Sequence, residues 1–287
     1  MNRWLTTGIS FVAAMTFVNA ADTNTTLSEI LAERPLANVV KASDLIGSDV
    51  RDSADKKIGD IKDVALDLAD GKILYAVVSI EGDQEAEHLR ALPASLLAAK
   101  ESHLILETDK SKLSSAPAFS AESSLNAQFV SDLNRRFRAA DAQDNGAATN
   151  ALKHVQLAKT ILDLRVLDSS RKAAGEVKDL ALDWNSGRIP FVIVSPSGLL
   201  KLAAVWYPVP PGALKMTDGK SLALTMTSDR FVAAPQFRPG DWANLSDLQR
   251  AKQVYAFYGT PGYFENGALQ STGRTNALER IYHEPQK

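Results

Sequence analysis

The chain has 287 residues, 45% of them hydrophobic and 23% charged, which is the balance of a folded globular protein and excludes a disordered polyelectrolyte or a fibrous repeat. Thirty-two basic against 34 acidic residues leave a net charge of -2, too weak a positive field to hold a phosphate backbone, so no nucleic acid partner is expected. There is no cysteine, which removes disulfides, thiol nucleophiles and thiolate metal sites from the available chemistry.

Met1 to Arg3 carry one basic charge, Trp4 to Val18 are apolar apart from small hydroxylated residues and Gly8, and Val18-Asn19-Ala20 places suitable residues for a signal peptidase. Residues 1–20 thus read as a signal peptide cut after Ala20, and the mature protein as periplasmic or secreted. The apolar run falls short of the roughly 20 residues a helix needs to cross a bilayer, so no transmembrane helix is expected after cleavage. An uncleaved anchor is the alternative, and stop-transfer charges are missing after Ala20. Residues 21–40 show little periodicity and read as a flexible N-terminal segment.

Asp52 to Ser79 (DSADKKIGDIKDVALDLADGKILYAVVS) aligns without a gap over Asp168 to Ser195 (DSSRKAAGEVKDLALDWNSGRIPFVIVS), a shift of 116 residues. Gly59/Gly175, Asp63/Asp179, Leu66/Leu182, Asp67/Asp183 and Gly71/Gly187 are among the identities. Farther on, Ala116-Pro117-Ala118-Phe119 matches Ala234-Pro235-Gln236-Phe237. Two copies of one domain are predicted, over residues 41–138 and 153–265, with a small polar linker at 139–152 and a flexible tail at 266–287.

In chain order, each copy reads as short strands followed by a helix. Leu45 to Asp52 and Ile161 to Asp168 begin the two series, then Ile58 to Leu68 and Ala174 to Trp184, whose alternating apolar residues mark one buried face. Ala69-Asp70-Gly71 and Asn185-Ser186-Gly187 read as hairpin turns, each ending on a glycine suited to positive φ. Lys72 to Ile80 and Arg188 to Val194 are apolar on both faces, as in a small closed barrel or between packed layers. His88 to Leu92 and Leu104 to Thr108, with Leu202 to Val209 and Leu222 to Thr227, complete the strands. Glu122 to Ala139 sets Leu125, Phe129, Leu133 and Phe137 four apart, a helical stripe, and Leu245, Leu248, Ala251, Val254, Tyr255 and Tyr258 do the same in the second copy.

The recurrence of Gly59, Ile61, Asp63, Leu66, Asp67, Gly71, Ile73, Tyr75 and Val77 at this spacing, and again as Gly175, Val177, Asp179, Leu182, Asp183, Gly187, Ile189, Phe191 and Ile193, resembles the PRC-barrel family. That resemblance implies a mainly β chain of two tandem small barrels, each followed by a helix, behind the signal peptide. It implies an interaction or assembly module, as in the photosynthetic reaction centre H subunit and a ribosome maturation factor. It supplies no catalytic residues.

Other chemistry is weakly signalled. Ser53-Ala54-Asp55-Lys56 and Ser169-Ser170-Arg171-Lys172 match Ser-x-x-Lys but sit in polar turns without the partner motifs of a serine acyltransferase. Asp60, Asp63, Asp67 and Asp70 lack the convergent spacing of a calcium loop, and Asp63, Asp67, Asp179 and Asp183 read as turn or bulge residues bonded to nearby backbone N–H groups. His88, His103, His154 and His283 are dispersed. Accordingly, no catalytic, cofactor or metal residues are assigned and an enzyme is not expected. Trp184, Trp206, Tyr207 and Trp242 are the interaction candidates, with core packing or contact between the copies as their other reading.

Ser43 to Phe119 carry 9 basic and 15 acidic residues, a charge of -6, whereas Lys159 to Phe237 carry 10 basic and 7 acidic, +3. Contact between the two copies within the chain is therefore expected, oriented by charge. The loops GDQEAE at 82–87 and PSGLLK at 196–201 differ most between copies, where loops select partners. The expected function is an exported, non-catalytic module binding another protein or an envelope component. An assembly factor for a membrane complex like that of the H subunit, and a small-ligand binder using the inter-barrel groove, are the alternatives.

Overall fold

The computed structural model describes residues 36, 39–81, 89–100, 103–107, 113, 115–137, 155–197, 204–217, 219–262 and 264. The expected signal peptide, the linker core at 139–152, the tail at 266–287, the acidic loop at 82–87 and His88, His154 and His283 lie outside these residues.

The first half runs β1 (Val39–Lys41), a helical turn α1 (Ala42–Leu45), β2 (Asp49–Arg51), β3 (Lys57–Asp67), β4 (Lys72–Ile80), β5 (Arg90–Pro93), a 3-10 turn (Ala94–Leu96), β6 (Leu97–Lys100), β7 (His103–Leu106) and helix α2 (Ala127–Phe137). The second half runs β8 (Val155–Leu157), α3 (Ala158–Ile161), β9 (Arg165–Leu167), β10 (Ala173–Asp183), β11 (Arg188–Pro196), β12 (Tyr207–Val209), a 3-10 turn (Pro211–Ala213), β13 (Leu214–Met216), β14 (Ser221–Leu224), α4 (Ser228–Phe231), a 3-10 turn (Trp242–Ser246) and α5 (Leu248–Tyr258).

The fold is mainly β, and the strands form one mixed sheet. Its path is β13-β14-β9-β10-β11-β4-β3-β2-β7-β6, with β1, β12, β5 and β8 branching from it. Parallel pairs β2/β7 and β9/β14 sit beside antiparallel ones. Where two separate closed barrels are expected, the strand order is an open path that crosses from half to half at β11 and β4. The long hairpins behave as their sequence requires. Ile61, Val64, Leu66, Tyr75, Val77 and Val78 are buried, as are Val177, Leu180, Leu182, Phe191, Ile193 and Val194, and both sets belong to one continuous apolar core. Gly71 (φ 62°) and Gly187 (φ 65°) close the hairpins in the left-handed region.

Each crossing is reciprocal. β1, in the first half, pairs with β10, setting Val39 opposite Asp183 and Lys41 opposite Ala181. β8, in the second half, pairs with β3, setting Val155 opposite Asp67 and Leu157 opposite Ala65. These are the same register moved by the 116 residues that separate the sequence copies.

Several expectations are corrected. Leu36 is fully buried and Val39–Lys41 is a strand, so the loosely held segment expected to reach residue 40 ends earlier; a three-residue strand shows no alternation to read. Leu45 and Ile161 close helical turns, and the strands expected from them start at Asp49 and Arg165. Helix α2 begins at Ala127, not Glu122, because the Asn126 side-chain oxygen accepts from Phe129 N–H at 2.9 Å and fixes the first turn. This leaves Leu125 outside the helix, while Phe129 meets Tyr75 edge-on at 5.6 Å. Helix α5 starts one residue after Asp247, whose carboxylate accepts from Gln249 and Arg250 N–H, and it stops at Gly259 (φ 67°). Strands β6 and β13 were not anticipated.

Candidate functional site

The site that the fold builds is the seam between the halves. Its chemistry starts at bulges in β3 and β10, where the pairing slips between Ile61 and Asp63 and between Val177 and Asp179. A bulge turns its residue out of the ladder. At each one a buried carboxylate reaches the opposite half. Asp63 Oδ1 accepts from Val64 N–H at 2.8 Å and from Lys159 N–H at 3.2 Å. Asp179 Oδ1 accepts from Leu180 N–H at 2.8 Å and from Ser43 N–H at 3.2 Å, and its Oδ2 accepts from the Ser43 hydroxyl at 2.5 Å. Lys159 and Ser43 are equivalent positions in the first turns of α3 and α1, so each half caps a helical turn of the other. The first-half site lacks the extra bond, because lysine stands where serine does.

Burial pushes the Asp63 and Asp179 carboxyls above their usual range, opposed by those N–H bonds. Asp67 is likewise raised by burial. Its Oδ1 accepts from Asp70 N–H at 3.2 Å, and Asp183 Oδ1 from Ser186 N–H at 3.4 Å, the turn bonds expected. Asp183 Oδ2 also accepts from Leu36 N–H at 3.3 Å, a bond of 147 residues' reach. The repeated aspartates are thus turn and bulge residues as read, but half of their bonding is long-range. Ser43, Lys159 and Leu36 were missed; a carboxylate repeated inside an otherwise apolar strand is the signal that a distant backbone group needs an acceptor.

The centre of the seam is made by the hairpin turns. Ile73 N–H donates to Gly187 O at 2.8 Å and Ile189 N–H to Gly71 O at 2.9 Å, again related by 116 residues. A side chain on Gly71 would meet Pro211 of the second half at 3.4 Å. Gly59 and Gly175 serve another need. A Cβ there would lie 2.0 Å from Ser79 O and 2.3 Å from Ser195 O, so only glycine permits these strand contacts.

The aromatic candidates divide. Trp184 is fully buried and its Nε1 donates to Leu97 O at 2.8 Å, joining the halves, and Tyr207 is buried against Phe231 with its hydroxyl donating to Val232 O. Both are therefore core residues, not surface anchors, because the continuous apolar core consumes their apolar area. Trp206 and Trp242 are half-buried and flank Phe237, each with ring centroids 6.2 Å from it. Trp242 Nε1 donates to Val39 O at 3.4 Å, and the Lys41 ammonium lies 5.3 Å from its ring centroid.

The two Ser-x-x-Lys segments are turns. Asp52 Oδ1 accepts from Ala54 and Lys56 N–H, and Asp168 Oδ1 from Ser170 and Lys172 N–H. His103 Nε2 lies 3.7 Å from Asp55 Oδ1. Among the described residues, no group of three or more His, Asp or Glu is placed to hold a metal, and no helix is long and apolar enough to cross a membrane.

A comparison with curated proteins gives no match to the chain. The family model of the PRC-barrel domain matches residues 37–113, from the residue before β1 and its neighbour to just past β7, so its span takes in the exchanged strand, Asp63 and the hairpin glycine Gly71. Residues 37–113 are thus similar in sequence to the PRC-barrel domain.

Proposed function

We propose that the protein is an exported, non-catalytic interaction module in which the second half is a second barrel of the same kind, and that it binds another protein or an envelope component in the periplasm or outside the cell. The observation that carries this reading is the use made of the buried carboxylates. Asp63 and Asp179, whose carboxyls burial raises, each accept a backbone N–H bond from the opposite half, as does the buried carboxylate of Asp183. Their role is architectural, and what the architecture presents is a surface. Trp206 and Trp242, partly exposed around Phe237, offer aromatic contact area on that surface to a partner. Export follows from the leader pattern of residues 1–20.

Crosslinking the full-length chain in its native envelope, followed by identification of what is captured, tests this reading. A specific partner is expected, with capture reduced by Trp206→Ala or Trp242→Ala. Recovery of the protein alone overturns it. N-terminal sequencing of the mature protein should begin at Ala21, and a retained Met1 would overturn the leader assignment.

A further inference from the structure

We propose that each half is a docking slot for an arm of the other, and that this exchange, not the linker and not net charge, holds the halves together. Arm one is Leu36 with residues 39–46; arm two is residues 155–162. The slot for arm one is the edge of β10 at Ala181–Asp183 with Asp179 beside it, and the slot for arm two is the edge of β3 at Ala65–Asp67 with Asp63.

The arms have the sequences VVKASDLI and VQLAKTIL. Their buried positions carry matched residues: Val39 and Val155, Ala42 and Ala158, Leu45 and Ile161. Positions that differ in character, Lys41 against Leu157, Ser43 against Lys159 and Asp44 against Thr160, are partly or fully exposed. A slot that reads backbone and a three-residue apolar stripe accounts for both facts. Much of what crosses the seam agrees: the strand pairing and the Gly71/Gly187 turn bonds are main-chain on both sides, and the Asp63 and Asp179 carboxylates take main-chain N–H donors, beside the side-chain bonds of Ser43, Trp184 and Trp242; such buried bonds are screened little by salt. The opposite charges of the halves, -6 and +3, then bear on the surface around the seam and not on its strength.

The test uses the full chain with a specific protease site inserted between Gly146 and Ala147 and cut after folding. The fragments should migrate as one species of the intact mass at low salt and at about 1 M salt, where the screening length is about 3 Å. Separation into two folded species at either salt overturns the proposal, and separation at high salt alone assigns the association to charge. In the uncut chain, amide exchange gives an independent reading. Asp179→Ala should speed exchange in residues 39–45 by about tenfold while leaving 155–161 nearly unchanged, and Asp63→Ala should do the reverse. Asp179→Asn, which keeps an acceptor oxygen, should restore most of the protection. Identical exchange patterns in the two Ala variants overturn the proposal.

Discussion

Asp179 holds Ser43, a residue 136 positions earlier, by two bonds at once: the Ser43 N–H at 3.2 Å and its hydroxyl at 2.5 Å. Removing the hydroxyl with Ser43→Ala deletes one of these and leaves Oδ2 short of a donor. Asp179→Ala removes the acceptor for Ser43 and for Leu180 N–H together. Since each buried group left unpaired costs about 1–3 kcal/mol, Asp179→Ala should destabilise the protein more than Ser43→Ala, and both should lower the midpoint of urea unfolding without changing its slope. An unchanged midpoint for Asp179→Ala would refute the capping role.

Acidity should act on the same seam. Burial raises the carboxyls of Asp63, Asp67 and Asp179, so the folded chain releases their protons at higher pH than the unfolded chain, whose aspartates titrate near 3.9. From about pH 4 up to the raised values, the folded state binds more protons. The contribution of these groups is therefore complete below about pH 4 and declines as pH rises through the window. Asp168 acts oppositely: the Ser228 hydroxyl and backbone N–H groups lower its pKa, and its contribution is lost as pH falls. The double variant Asp63→Asn, Asp179→Asn removes the part of the first trend due to Asp63 and Asp179 and leaves that of Asp67 and Asp168. Its stability relative to the parent should improve as pH rises above about 4 in parallel urea titrations. A difference independent of pH in that range would count against charged Asp63 and Asp179 as costly groups.

The hairpins, their glycine turns and the aspartates within them are legible because they repeat at 116 residues and alternate with period two. The exchange is not, for a physical reason that the repeat itself imposes. In a chain with two copies, Val39–Lys41 meets nearly the same local sequence at Ala65–Asp67 as at Ala181–Asp183, so pattern alone cannot say which edge it joins. The choice is made by chain path and packing. The carboxylates are expected to bond nearby backbone, and they do, but Ser43 and Lys159 lie in four-residue turns too short to announce themselves. Trp184 shows the other limit: its counterpart is Leu68, so the indole that bonds Leu97 has no echo in the first half.

The glycines separate two kinds of constraint. At Gly59 a Cβ would stand 2.0 Å from Ser79 O, a backbone atom held in the strand pairing with β4, and relief requires moving the ladder. At Gly71 the same atom meets Pro211 at 3.4 Å, and the penalty is mainly that of φ 62° in a residue with a Cβ, about 1–2 kcal/mol. Gly59→Ala should therefore cost more than Gly71→Ala, on the order of 3 kcal/mol or more. Thermal unfolding of both variants checks the order, and a reversed ranking would show that β3 and β4 can part at Gly59.

Trp184 offers a final probe, because one side chain fills the core and donates across the seam. Trp184→Phe removes the Nε1–H bond to Leu97 O while retaining much of the ring, and leaves a buried carbonyl unsatisfied. A loss of about 1–3 kcal/mol is expected. Trp184→Leu, which installs the residue of the equivalent position in the first half, also opens a cavity and should cost about 3–5 kcal/mol. Trp206, half-buried at the edge of the Phe237 cluster, is the control: Trp206→Phe should cost less than about 1 kcal/mol. Because the lost bond joins β6 of the first half to the end of β10 in the second, Trp184→Phe should also weaken the association of fragments cut in the linker, whereas Trp206→Phe should leave it unchanged. Equal weakening by the two variants would remove Trp184 from the seam and leave it a core residue of the second half alone.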